Sequence, residues 1–152
     1  MSQIFQTLHH LCIVVHDVEK TAAYCASVGI GPWLDYPPLS AYAELDVPNP
    51  AAFKGLKFRY VNLGNIQLQL CQPGEEDGPQ RRFLDTHGEG VFHLGFDVPD
   101  CDAAEAAGIA QGLEPLMRGR RADRSGFTIF GTAPEAGAAL EILSHRTPPA
   151  KA

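Results

Sequence analysis

The sequence predicts an α+β fold in which two tandem βαβββ modules pair around a shared central cavity. Three observations carry that prediction. The chain has 152 residues, 45% hydrophobic and 20% charged, which suits one globular domain able to bury a core. It contains an internal repeat: His10-Leu11-Cys12-Ile13-Val14-Val15-His16-Asp17 lies on His93-Leu94-Gly95-Phe96-Asp97-Val98-Pro99-Asp100. The same register pairs Gly29-Ile30-Gly31-Pro32 with Gly112-Leu113-Glu114-Pro115. Finally, each repeat runs from a strand pattern through a helix pattern into about three further strand patterns.

In the first half, the apolar run that begins at His10 reads as a strand. Asp17 is placed to cap a helix over 19–28, rich in Ala, Glu and Lys. Gly29 ends that helix and Pro32 keeps it from resuming. Strands over 33–36, 57–62 and 66–71 follow, separated by Gly, Asp, Asn and Pro turns. In the second half, Asp100 caps a helix over 102–111, Gly112 and Pro115 end it, and strands over 116–118, 127–130 and 139–143 complete the module. The modules span about 6–73 and about 88–145. Between them, Pro73-Gly74-Glu75-Glu76-Asp77-Gly78-Pro79 has linker composition but is too short for a tether. Neither half buries more than a thin core alone, so a single domain over 1–152 is expected.

Composition narrows the partners. Twelve basic against eighteen acidic residues give a net charge of −6, and no basic stripe offsets it, so no nucleic acid is expected. No apolar run approaches the ~20 residues of a membrane span, so no membrane is expected either. MSQIFQTLHH has neither the basic nor the apolar region of a secretory signal. Cys12, Cys25, Cys71 and Cys101 form no C-x-x-C pair, which points to a reducing, cytoplasmic compartment.

The repeat singles out four residues. His10 and His93 open the first strand of each half; Gln69 and Glu141 sit in the last, within Ile66-Gln67-Leu68-Gln69-Leu70 and Ala139-Leu140-Glu141-Ile142-Leu143. A pseudo-twofold axis would bring these matching positions to one centre. Two imidazoles, a carboxylate and an amide oxygen suit one divalent ion of Co, Ni, Mn, Zn or Fe better than Ca. Glu141 is the most telling member, because a carboxylate among Ala, Leu and Ile must be paired or hold a metal. A lone strand histidine is ordinarily a core or surface residue. His9 competes with His10, and only the match to His93 chooses between them. Gln67 competes with Gln69 on the same strand face. His16, His87 and His145 have no repeat partner and read as loop residues.

The run from His10, the stretch Leu63-Gly64-Asn65-Ile66-Gln67-Leu68-Gln69-Leu70, the approach Gly88-Glu89-Gly90-Val91-Phe92-His93 and Leu140-Glu141-Ile142 together resemble the vicinal oxygen chelate superfamily. That superfamily has the glyoxalase/bleomycin resistance/dioxygenase fold, and the likeness covers about residues 8 to 144. Within it the pattern is most similar to methylmalonyl-CoA epimerases, which share the Leu-Gly turn and the approach from Phe83 to His93. The resemblance implies a metal held by His10, Gln69, His93 and Glu141, with open positions for substrate oxygens. It also implies a catalytic role for Glu141, as the base that takes a proton beside a chelated carbonyl to give an enolate. A small carbonyl or acyl-CoA substrate and a homodimer follow from the same resemblance.

The sequence departs from that pattern between His10 and Gln69, a longer interval than His93 to Glu141. The excess falls in 35–55, which holds Pro37, Pro38, Pro48 and Pro50 and reads as a loop over the site. The resemblance puts a second acidic base in this region; Glu44 and Asp46 qualify by location only, and a solvated loop is the ordinary reading. Trp33 and Tyr36 either line an apolar pocket or pack in the core. Arg118, Arg120, Arg121 and Arg124 read foremost as a solvated hairpin tip, and secondly as a clamp for a carboxylate or coenzyme A phosphates. Competing functions are a glyoxalase-like lyase or isomerase on another small carbonyl compound, an extradiol-type dioxygenase and a non-catalytic binder. His10, His93 and Glu141 form the triad a dioxygenase needs. Against that reading, Tyr24, Tyr36, Tyr42 and Tyr60 all lie in the first half, while His87 and His145 flank the second module. The four-residue set argues against the binder, because such resistance proteins generally lack it.

Overall fold

A computed structural model describes residues 3–39 and 42–146. Residues 1–2 and 147–152, which the expected domain of 1–152 takes in, lie outside the described residues, as do 40 and 41. The first module contains β1 (Leu8–Val14), α1 (Val18–Ser27), β2 (Leu34–Asp35), β3 (Glu44–Asp46), α2 (Pro50–Lys54), β4 (Lys57–Asn62) and β5 (Gln67–Gln72). After α3 (Pro79–His87) come β6 (Gly90–Asp97), α4 (Cys101–Ala110), β7 (Pro115–Arg120), β8 (Gly126–Phe130), α5 (Ala133–Ala136) and β9 (Ala139–Ser144). The expected caps form: Asp17 accepts from Lys20 N, Asp100 from Ala103 N, and Gly29 and Gly112 take positive φ after each helix.

All nine described strands join in one sheet, ordered β2-β4-β5-β1-β6-β9-β8-β7-β3. Antiparallel pairing of β1 with β6 joins the modules, flanked by the parallel pairs β1/β5 and β6/β9. The register itself is duplicated: Gln69 faces Cys12, and Glu141 faces Gly95, the repeat counterpart of Cys12. Helix α1 covers one outer face through Val18 and Ala22 against Val15 and Leu70. Helix α4 covers the other through Cys101 and Ala104 against Phe130 and Ile142. The opposite strand face carries Cys12, Val14, Cys71, Phe92, Phe127 and Ile129, the core on which the central cavity rests.

Residues 35–55 depart from the loop expected there. Asn49 accepts from Ala51 N, and Pro50 starts α2 in the first-turn position where its missing N–H costs nothing. Strand β3 crosses to the far edge of the second module and pairs with β7, Glu44 opposite Arg120 and Asp46 opposite Arg118. Similarly, the linker composition before Pro79 is the punctuation of α3, which gains an Arg81–Asp85 pair at 2.6 Å one turn apart.

The arginine run departs from a solvated tip as well. Arg120 is fully buried; its Nε lies 2.9 Å from Asp102 and its Nη2 2.9 Å from Glu105, both on α4. Arg118 pairs with Glu105 at 2.8 Å, while Arg124 pairs with Asp102 at 2.7 Å and Glu44 at 2.8 Å. A hydrogen bond from Arg124 holds the Asp102 carboxyl down at about 2, against a smaller opposing effect of burial, and Arg120 adds to the fall. This network pins α4 and β3 to the β7/β8 hairpin. Arg120→Met should lower the unfolding free energy by about 3–5 kcal/mol, because it leaves buried acceptors without their cation. Urea denaturation checks this, and an unchanged midpoint would remove the role.

Candidate functional site

Strand alternation and the duplicated register bring the two histidines and Glu141 together. His10, on β1, and His93, on β6, place their Nε2 atoms 2.9 Å apart. The Glu141 carboxylate on β9 spans both, Oε1 3.2 Å from His10 Nε2 and Oε2 3.3 Å from His93 Nε2. All three residues are buried. Their donor atoms lie within 4.8 Å of one another, a cluster able to hold a metal ion.

Gln69, at 3% exposure, lines the same cavity from β5. Its Nε2 donates to Gln67 Oε1 at 2.8 Å, and Gln67 Nε2 donates to Asn62 Oδ1 at 3.0 Å. This relay commits the Gln69 nitrogen and leaves its oxygen as the donor for a cation. The competing Gln67 is thereby a support for Gln69, on the cavity wall as well.

Electrostatics favour the ligand forms. Burial pushes the His93 imidazole down to about 4, with repulsion from His10 adding to the fall and Glu141 opposing it, so His93 is neutral near pH 7. Burial alone would raise the Glu141 carboxyl, but His93 and His10 outweigh it and hold it below the usual range. His93 Nδ1 is buried without a hydrogen-bond partner, so only the Nε2 side of this ring is engaged. The donor set, two imidazoles with one carboxylate and one amide oxygen, fits a borderline divalent metal.

The site opens into a cavity of about 860 Å³. Tyr36, Tyr42, Phe53, Phe58, Tyr60 and Phe127 contribute to its walls. Burial, then the negative charge of Glu141, drives the Tyr36 phenol far above its ordinary value, which keeps it protonated. The structure separates Trp33 from Tyr36: Trp33 packs with Val15, Val18 and Leu70 outside the cavity. Glu44 and Asp46 do not line it; Glu44 is paired with Arg118 and Arg124 instead. Among the described residues, Glu141 is the one carboxylate on the cavity wall.

Two further histidines line the cavity, His9, which the repeat set aside in favour of His10, and His145, which the sequence placed in a loop. A register shift between Leu8 and His10 makes His9 an extra residue in β1, so His9 and His10 lie close together, Nδ1 to Nδ1 at 2.8 Å. His145, read as a loop residue, meets Asp97 at 2.7 Å beside His9. Its partners lie far off in sequence, so spacing carried no signal. Three of the four tyrosines of the first half, Tyr36, Tyr42 and Tyr60, reach the cavity too, which removes the argument that their position keeps them from the His10–His93–Glu141 cluster; Tyr24 is exposed on α1. Of the four clustered arginines, Arg121 lines the cavity.

Comparison with known proteins agrees with this architecture. The family model of the Glyoxalase/Bleomycin resistance protein/Dioxygenase superfamily matches residues 9–130. The mitochondrial methylmalonyl-CoA epimerase of Homo sapiens is 32% identical over 98 residues, 64% of this chain and 49% of that protein. The chain thus spans about half the length of the curated relatives it matches. Methylmalonyl-CoA epimerase from Mycobacterium tuberculosis superposes with a TM-score of 0.70 at 19% identity, covering 97% of this chain and 93% of that one. A Streptomyces coelicolor methylmalonyl-CoA epimerase variant in complex with 2-nitronate-propionyl-CoA gives 0.69 at 24% identity, covering 94% and 99%. These structures share the fold.

Proposed function

The chain belongs to the Glyoxalase/Bleomycin resistance protein/Dioxygenase superfamily, and on that premise we propose that it is a divalent-metal-dependent enzyme of the methylmalonyl-CoA epimerase type, taking a proton from carbon beside a carbonyl. The observation that carries this reading is the convergence of His10, His93 and Glu141 on one point, with Gln69 on the wall of the same cavity. His10, Gln69, His93 and Glu141 would hold the metal. Bound there, a divalent ion supplies Lewis acidity, lowering the energy of negative charge that develops on an oxygen it holds.

The protein's own part is positioning and proton transfer. Glu141 is the carboxylate available to receive the proton, and removal of that proton leaves the charge on the carbonyl oxygen of the substrate. The His9–His10 contact and the Gln69–Gln67–Asn62 relay orient two of the ligands. The aromatic walls exclude water from the reacting carbon. An acyl-CoA ester is the proposed substrate class, since the curated relatives are methylmalonyl-CoA epimerases. The reading further takes 1–152 as one domain acting as a homodimer. The cytoplasm is the proposed compartment, supported by four free cysteines; no helix of the described residues is long and apolar enough to cross a membrane.

Protein loaded with Co²⁺ and incubated with methylmalonyl-CoA in D₂O should incorporate deuterium beside the thioester. His93→Ala should lose both the metal and the exchange. Exchange that persists in metal-free protein, or is absent from loaded protein, counts against the reading. A second reading has support of its own: His10, His93 and Glu141 make a 2-His-1-carboxylate set, and His145 and Tyr36 share its cavity, as an extradiol-type dioxygenase would require. Oxygen uptake by Fe²⁺-loaded protein with a catechol would favour that alternative.

A further inference from the structure

The three strands that position His10, His93 and Glu141 also bring together a second set of the same donor types. His9 lies on β1, Asp97 ends β6 and His145 follows β9, and their donor atoms lie within 4.8 Å of one another. His145 Nε2 stands 2.7 Å from Asp97 Oδ1, and the His9 and His145 ring centroids are 5.2 Å apart. The backbone fixes this end of the sheet: Asp97 N donates to Thr7 O at 2.8 Å and Val98 N to Leu143 O at 2.9 Å. The His145 side chain is 63% exposed and that of Asp97 33%, so an ion can reach this cluster from solvent. Two imidazoles and one carboxylate suit a borderline divalent ion such as Zn²⁺, with water in the positions they leave open.

His9 also touches the first cluster, Nδ1 to Nδ1 with His10 at 2.8 Å, and that contact makes the two sets interdependent. A neutral imidazole carries its one proton on one nitrogen and binds a cation through the other. With a cation on His10 Nε2, the atom that faces His93 and Glu141, the His10 proton sits on Nδ1 and is donated to His9 Nδ1. His9 then holds its own proton on Nε2. To bind an ion through Nε2, His9 must shift that proton to Nδ1 and donate it to His10, whose proton then occupies Nε2. To bind an ion through Nδ1, His9 must give up the contact altogether. Either way, an ion on His9 removes the hydrogen bond that holds the His10 proton away from Nε2. We propose that His9, Asp97 and His145 form a second site for a borderline divalent ion, and that filling it opposes metal binding at the His10–His93–Glu141 cluster. The site stands without any reading of the first cluster; the opposition rests on that cluster holding a metal.

Zn²⁺ titrated into tag-free protein, followed by calorimetry and by metal analysis after dialysis, tests both parts. Wild type should take two ions per chain. His145→Ala should keep the tighter ion and the wild-type melting temperature, and weaken the other ion by more than about 100-fold, beyond the effect of losing an outer-shell partner. Asp97→Asn should weaken the same ion. His93→Ala should lose the first ion and hold the second about 5–150-fold more tightly, the usual range of coupling between two sites. The site is overturned if wild type binds no Zn²⁺, if it binds a single ion that His93→Ala loses and His145→Ala keeps, or if a second ion survives His145→Ala. A second ion held with the same affinity in His93→Ala overturns the opposition. A single ion that His145→Ala loses and His93→Ala keeps supports the site and counts against the four-residue metal centre.

Discussion

Gly95→Ala is expected to strip the site of its metal without altering a single ligand. A Cβ built on Gly95 would lie 2.5 Å from both ring nitrogens of His10, and closer still to Cε1. No flexible chain end can yield here. His10 sits on β1, held between β5 and β6, and its ring is already packed against His9, His93 and Glu141. The imidazole must therefore leave the position that points Nε2 at its neighbours. Divalent-metal affinity should fall by more than about 100-fold, beyond the effect of losing a supporting hydrogen bond, and turnover should fall with it. The overpacked strand should remain folded at a cost of about 1–3 kcal/mol. Metal content after dialysis, beside a thermal melt, reads both effects. Wild-type metal affinity in a folded Gly95→Ala protein would show that His10 does not need its present position. Gly95 faces Glu141 across the β6/β9 pair, so one missing side chain makes room where His10 and Glu141 meet.

What the sequence revealed was whatever repeats or alternates. The duplication exposed the strand–helix–strand order, and the register of Gln69 and Glu141 followed from it because paired positions in duplicated strands occupy equivalent places. Elements private to one half stayed hidden. Strand β3 is short, and its pairing with β7 reaches across the chain, so nothing local separates it from a proline-rich loop. His9 read as an alternative to His10 because alternation assumes that neighbours face opposite ways; the register shift beside it lets the two lie together. The four arginines look alike in a string of letters; three of them, Arg118, Arg120 and Arg124, are engaged by Asp102, Glu105 and Glu44, which lie elsewhere in the sequence. The need for glycine at position 95 was equally invisible, because it arises from an imidazole on another strand.

Glu141→Gln should reduce turnover by about 10²–10⁴-fold, the span attributed to a general base, while substrate binding changes by less than about 10-fold. The amide keeps the size of the side chain and can still hold a metal through its oxygen, but it cannot accept the proton. Pseudo-symmetry permits a sharper comparison. Gln69 occupies the position in the first module that Glu141 occupies in the second, each on the last strand of its half and both buried on the cavity wall. The exchange Gln69→Glu/Glu141→Gln conserves the charge and the donor types while moving the carboxylate to the opposite module. If Glu141 serves only to hold the metal, the exchange, which keeps the donor set and its charge, should keep metal binding and restore turnover. If it is the base, the exchange should keep metal binding but not restore turnover, because the new carboxylate approaches the substrate from the other wall. The second result is expected. Kinetics and metal content of the exchanged protein therefore separate the two roles of Glu141, which no single substitution at that position can do, and recovered turnover would take the base assignment away from it.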